Sequence, residues 1–85
     1  MKDKEILQAN IDKLHTTVMG ADRICRNLGI TAEPVEYCKD VIMSDECNIY
    51  RQGKNFYCER GNQQITVNSY SYTIITAHII KKAVI

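Results

Sequence analysis

Eighty-five residues suffice for one domain and no more. The 45% hydrophobic and 25% charged content argues against disorder, and no apolar run approaches the roughly 18 residues that span a bilayer. The net charge of +1 is unevenly divided: residues 1–46 carry nine acidic and six basic side chains, whereas residues 47–85 carry five basic (Arg51, Lys54, Arg60, Lys81, Lys82) and only Glu59 as an acid. A basic second half can attract a phosphate-bearing ligand.

The N-terminus, Met1-Lys2-Asp3-Lys4-Glu5, is charged and leads into an amphipathic pattern instead of a signal-peptide core. The expectation is therefore a cytoplasmic, single domain over residues 1–85 with no membrane association. A first helix is expected from Lys4 to about Leu14, with Ile6, Leu7, Ile11 and Leu14 as its apolar stripe. His15-Thr16-Thr17 breaks the pattern, and either threonine can cap a second helix. That helix runs to about Leu28, with Ala21, Ile24, Cys25 and Leu28 at i, i+3, i+4 and i+7, and Gly29 suits its end. A third helix starts near Pro34, carries Val35, Cys38 and Ile42 on one face, and closes at Ser44-Asp45-Glu46.

The hydrophobic period then changes from 3.6 to 2. Residues 48–52, 55–60, 63–68 and 72–80 read as four strands. Two-residue turns at Gly53-Lys54 and Gly61-Asn62 pair Ile49 with Cys58, Tyr50 with Tyr57, Cys58 with Ile65 and Phe56 with Val67. Apolar residues meet apolar residues on one face, the condition that fixes register. For the last hairpin, a three-residue loop at Ser69-Tyr70-Ser71 turns Ile75, Ala77 and Ile79 inward, in preference to Thr76 and His78. The fold class is α+β: two to three N-terminal helices on one face of a four-stranded antiparallel meander. The other face then displays Tyr50, Tyr57, Gln64, Thr66, Ile74, Thr76 and His78.

Cys25, Cys38, Cys47 and Cys58 form no CxxC unit and read as small buried hydrophobes. A zinc site drawing on them with His15 or His78 is the alternative. The chain contains no Gly-rich phosphate loop, nucleophile elbow or zinc-protease helix, and neither a metal nor a cofactor is implied.

The polar candidates for a site are few. His15, Thr16 and Thr17 stand at a helix N-terminus, where unpaired N–H groups and the macrodipole favour an anion. Arg51 and Lys54 flank a hairpin and can clamp a phosphate. Tyr50 and Tyr57 can stack bases, or pair only with each other. Thr76 and His78 point to the same side of the last strand, and a histidine there can transfer a proton. Arg23 and Arg26 lie off the apolar stripe of the second helix. Each of these also has an ordinary role, as a cap, a solvated face or a soluble hairpin tip.

The run Ile11-Asp12-Lys13-Leu14-His15-Thr16-Thr17 is followed by Gly20, Arg23-Ile24 and Asn27-Leu28. Together with Arg51-Gln52-Gly53-Lys54-Asn55-Phe56-Tyr57 and Ser71-Tyr72-Thr73-Ile74-Ile75-Thr76-Ala77-His78, it resembles the bacterial domain of unknown function 3781, from about residue 5 to residue 78. That family brings no activity with it. In architecture, helices followed by a four-stranded meander are similar to the barnase, RelE and colicin-type nuclease superfamily, which cleaves RNA on its open sheet face. That likeness implies a small metal-independent ribonuclease. His15 or His78 would be general base or acid, Arg51 and Lys54 would stabilise the pentavalent phosphate, and Thr76 or Tyr57 would position it. The expected partner is RNA or a nucleotide. The alternative is a non-catalytic module, from a phage or mobile element, that sequesters a nucleotide or inhibits a protein partner.

Overall fold

The computed structural model of this chain describes residues 2–80; Lys81 and Lys82, counted above in the basic half, lie outside the described residues. Three helices, α1 (Asp3–Ala9), α2 (Val18–Leu28) and α3 (Pro34–Met43), precede four strands, β1 (Asn48–Gln52), β2 (Asn55–Arg60), β3 (Gln63–Asn68) and β4 (Ile74–Ile79). The strands form an antiparallel sheet in the order β1-β2-β3-β4. Among the described residues no helix is long and apolar enough to cross a membrane.

Local chemistry accounts for the helix ends. In α2, Thr17 Oγ1 accepts a hydrogen bond from Gly20 N at 2.9 Å, and Gly29 closes the helix at φ 67°, a left-handed conformation that costs glycine nothing. In α3, Pro34 occupies the first turn and the Glu33 carboxylate accepts from Glu36 N at 2.7 Å. The first helix is shorter than its sequence pattern suggests. Asn10 leaves helical geometry and its side-chain amide donates to Ile6 O at 2.8 Å, taking the carbonyl that a continuing helix would use. A short 3-10 turn, Ile11–Lys13, carries the chain on to Leu14, which still reaches the core.

The first two hairpins have the register expected from the alternation: Ile49 pairs with Cys58, Tyr50 with Tyr57, Phe56 with Val67 and Cys58 with Ile65. Gly53 and Gly61 supply the positive φ of their turns, at 61° and 59°. Both exposed edges of the sheet receive partners from the helical half. Asp3 accepts a hydrogen bond from Arg51 N at 2.9 Å, and Lys4 Nζ donates to Cys47 O at 2.7 Å. At the β4 edge, His15 forms a parallel bridge with Thr73.

That bridge alters the last hairpin. β4 begins at Ile74 instead of residue 72, the loop occupies residues 69–73, and a bulge sets Val67 opposite Ile74 and Thr66 opposite Thr76. Ile75 is the extra residue. It is 51% exposed, while Ile74 is 3% exposed and belongs to the core. Ile74 therefore leaves the open face assigned to it above, and Ile75 leaves the core. Ala77 points inward as expected, whereas Ile79 remains half-exposed at the rim. The physical reason is the pair of backbone hydrogen bonds, Ile74 N to His15 O at 2.8 Å and His15 N to Tyr72 O at 3.2 Å, which fix the start of β4 before its side-chain alternation can.

One contiguous core joins Leu7, Leu14, Ile24, Leu28, Val41 and Ile42 from the helical half to Ile49, Phe56, Ile65, Val67, Ile74 and Ala77 from the sheet. The cysteines are free thiols, and Cys38, Cys47 and Cys58 are buried. Burial pushes the Cys38 thiol up to about 12. A hydrogen bond with Cys47, together with burial, also raises Cys58.

The bulge makes a direct expectation. Ile74→Ala should cost about 2–5 kcal/mol of stability by leaving a cavity, and Ile75→Ala under about 1 kcal/mol. Urea unfolding of the two variants measures both; equal costs would contradict the register.

Candidate functional site

The bulge and its loop bring polar residues from three parts of the chain to one end of the sheet. Asn68 organises the loop. Its side-chain oxygen accepts from Tyr70 N and Ser71 N, each at 2.9 Å, and from Ser71 Oγ at 3.2 Å. Its backbone accepts from Tyr72 N and donates to Thr73 O, both at 2.9 Å. This closed Asx-type arrangement forces Tyr72 to φ 60°, a left-handed conformation that costs a non-glycine residue about 1–2 kcal/mol. The Tyr72 ring offsets part of that cost by stacking on Phe56 at 6.4 Å and lying under Lys13 Nζ at 5.5 Å.

The loop is tied to the first hairpin. Ser69 N donates to Lys54 O at 2.8 Å. Arg51 donates to the Tyr70 hydroxyl at 3.3 Å, and its guanidinium lies 5.6 Å from the centre of the Tyr70 ring. Arg51 and Lys54 therefore stand beside residues 68–73. Among the described residues the salt bridge that forms, Arg26–Asp22 at 3.1 Å, lies elsewhere on α2. The nearest carboxylate shown to engage this end is Asp3, which binds the Arg51 backbone.

His15 joins the same loop from the other side. Its Nδ1 lies 2.8 Å from Lys13 O and its Nε2 lies 3.0 Å from Thr73 Oγ1. A carbonyl only accepts, so in the neutral ring Nδ1 carries the proton and Nε2 accepts from the Thr73 hydroxyl. Thr73 Oγ1 in turn lies 2.8 Å from Ser71 Oγ. The chain Lys13 carbonyl, His15, Thr73, Ser71 has the form of an oriented base next to a hydroxyl.

Beyond Thr73 a groove of about 310 Å³ opens between the start of α2 and the edge of β4, lined by Thr16, Thr17, Arg23, Thr73 and Ile75 among others. Gly20 forms part of its wall. A Cβ there would collide with Thr16 Oγ1, which donates to Ile74 O at 3.4 Å. The first two N–H groups of α2, at Val18 and Met19, have no intrahelical acceptor. Arg23 lies one turn further along.

The open face of the sheet is a different surface. Tyr50 and Tyr57 stack with ring centres 5.5 Å apart. The Tyr50 hydroxyl donates to Glu59 at 3.1 Å, a bond that raises the phenol pKa, and Gln64 Nε2 donates to the same carboxylate oxygen at 3.0 Å. Thr76 pairs with Thr66, and His78 with Gln64.

Of the residues singled out in the sequence, His15, Arg51 and Lys54 surround one loop, and Thr16 and Thr17 line the adjoining groove. Tyr57 and Thr76 occupy the middle of the open face. His78 does not join the His15 cluster: it lies four residues along β4 from Ile74, a displacement of about 13 Å at the usual strand rise. Thr73, Ser71, Asn68 and Tyr70 were missed. The loop itself was expected at Ser69-Tyr70-Ser71, from the turn-forming composition of that stretch, but without a role in the site. Thr73 has no local signal, because its partner is 58 positions away. Among the described residues no three His, Cys, Asp or Glu side chains converge to hold a metal.

The chain belongs to the family described as "Protein of unknown function (DUF3781)", whose model matches residues 8–78. The matched span contains His15, Arg51, Lys54 and Thr73. No curated protein and no solved structure matches the chain.

The hydrogen-bond assignment of His15 is directly measurable. Long-range ¹⁵N–¹H correlation spectra of the neutral ring should show His15 in the Nδ1–H tautomer. Thr73→Val should leave that tautomer in place while shifting Nε2. An Nε2–H tautomer would contradict the chain of bonds.

Proposed function

We propose that this member of the DUF3781 family is a cytoplasmic domain that binds the phosphate backbone of single-stranded RNA at the sheet end formed by Arg51, Lys54 and His15. The observation that carries the reading is the loop of residues 68–73, to which the hairpin cations are attached on one side through Tyr70 and Ser69, and His15 on the other through Thr73. Arg51 donates from a planar fork suited to phosphate oxygens, and Lys54 contributes a mobile charge beside it. The stacked Tyr50–Tyr57 pair lies in the adjoining strands and offers a flat surface to a base. A metal-independent ribonuclease is the catalytic form of this reading, with His15 as the proton-transfer group.

A second reading is supported by the groove at the start of α2. At about 310 Å³ it falls near the lower end of small-ligand sites, roughly 300–1,000 Å³. A single nucleotide held there, its phosphate toward Val18 N and Met19 N, would make the protein a sequestering module without chemistry.

Fluorescence anisotropy with a labelled single-stranded RNA, across a salt series and with and without chelator, tests the first reading. Affinity should fall with salt. Arg51→Ala and Lys54→Ala should each flatten the log–log salt dependence by about 0.7, the slope lost with one single-strand phosphate contact. Salt-independent binding, or binding unchanged in the double variant, would contradict it. Nucleotide released from the purified protein and identified by mass spectrometry would favour the second reading.

A further inference from the structure

We infer that Thr73 is a nucleophile, activated by His15, that attacks the phosphorus of a bound phosphodiester from the groove between α2 and β4. The inference rests on the RNA reading above and goes beyond it by naming the reacting group.

The side-chain bond between Thr73 and His15 is not needed to attach the loop. Two backbone hydrogen bonds, His15 N to Tyr72 O and Ile74 N to His15 O, already hold the two segments together. What the side-chain bond adds is chemical: Thr73 Oγ1 sits 3.0 Å from an imidazole nitrogen that has its lone pair toward it. The other ring nitrogen is held at 2.8 Å by the Lys13 carbonyl, which fixes the tautomer a general base requires. Backbone pairing on both sides of the imidazole and of the hydroxyl makes the pair rigid, so its geometry is set before a ligand arrives. The residue before Thr73 is Tyr72, the one non-glycine residue at positive φ among those described. Strain of this kind collects at sites where a side chain must be aimed.

The groove supplies the remaining parts. Thr73 lines it, together with Arg23 and the first turn of α2. The N–H groups of Val18 and Met19 and the Arg23 guanidinium can stabilise charge that develops on non-bridging phosphate oxygens. Ser71 Oγ, 2.8 Å from Thr73 Oγ1, can donate to the threonine oxygen once substrate displaces the resting arrangement, and so holds it in line.

The step balances without a redox partner. The Thr73 O–H bond breaks and its proton passes to His15 Nε2. The Oγ1–phosphorus bond forms, and the bond from phosphorus to the 5′ oxygen breaks. On the opposite, in-line face the departing 5′ oxygen takes a proton from a solvent water, leaving hydroxide, while His15 stays protonated beside Thr73. The upstream fragment is left on Thr73 through its 3′ phosphate; water then attacks that phosphorus from the face the 5′ oxygen left, the Oγ1–phosphorus bond breaks as His15 returns its proton to Thr73 Oγ1, and the proton lost by the water neutralises the hydroxide left by the first step. The 2′ hydroxyl takes no part, so a 2′-deoxy oligonucleotide of the same sequence is also a substrate.

The test uses the full chain with a 5′-fluorescein single-stranded RNA and its 2′-deoxy counterpart. Denaturing gels after an acid quench detect label on the protein, peptide mass spectrometry locates it, and anisotropy reports binding separately. The expected result is cleavage of both oligonucleotides and label on Thr73. Thr73→Val should abolish both, Thr73→Ser should retain both, and His15→Gln should slow cleavage about 10²–10⁴-fold, with RNA affinity kept in Thr73→Val. Binding without cleavage of the 2′-deoxy strand and without an adduct would overturn the inference and leave the RNA reading standing. Cleavage confined to RNA, with 2′,3′-cyclic phosphate ends, would also overturn it. Absence of RNA binding would overturn both.

Discussion

The last strand, its loop and the candidate site all depend on the two hydrogen bonds that join His15 to Tyr72 and Ile74. They connect the helical half to the sheet at an edge strand, where unpaired backbone groups would otherwise face solvent. They also set where β4 begins, and so which of two adjacent isoleucines enters the core. The residue gained at that point, Ile75, is absorbed by the bulge opposite Thr66 and Val67. The loop of residues 69–73 then has one way to close, around Asn68, and Thr73 is delivered to the imidazole. Packing, strand register and candidate chemistry thus depend on the same few ångströms of backbone.

The opposite edge of the sheet is managed by charge instead of by pairing. Asp3 and Lys4, adjacent on α1, reach the β1 edge at Arg51 and Cys47. Holding Arg51 by its backbone leaves the guanidinium free to lie over Tyr70. The same helix that protects the edge therefore orients a cation at the proposed site. The open face divides along its length: a carboxylate, Glu59, gathers Tyr50 and Gln64 toward the far end, while Arg51 and Lys54 stand at the hairpin end.

Much of this was legible in the sequence where neighbours decide the outcome. Thr17, Gly29 and Pro34 marked helix ends through their own backbone chemistry. Glycines at 53 and 61 fixed two hairpins, and the alternation of Ile49, Phe56, Cys58, Ile65 and Val67 fixed their faces. The failures have separate causes. Asn10 ended α1 through a bond to its own helix that competes with an otherwise good apolar stripe. The β4 register was set by a residue 58 positions earlier, and periodicity cannot report so distant a constraint. His15 was identified as a candidate from its position near a helix start, yet its ring is held between the Lys13 carbonyl and Thr73, in the loop before β4. His78 was grouped with it because both are histidines in polar surroundings, which says nothing about distance.

The central claim is that the hairpin end of the sheet, and not the Glu59–His78 end, meets the phosphate ligand. Backbone ¹⁵N–¹H spectra recorded during titration with a short single-stranded RNA test it most directly. The account predicts perturbations clustered at His15, residues 51–54 and residues 68–73, with Glu59, Gln64 and His78 little changed. Perturbations centred on Glu59, Gln64 and His78, with the 68–73 loop silent, would contradict it.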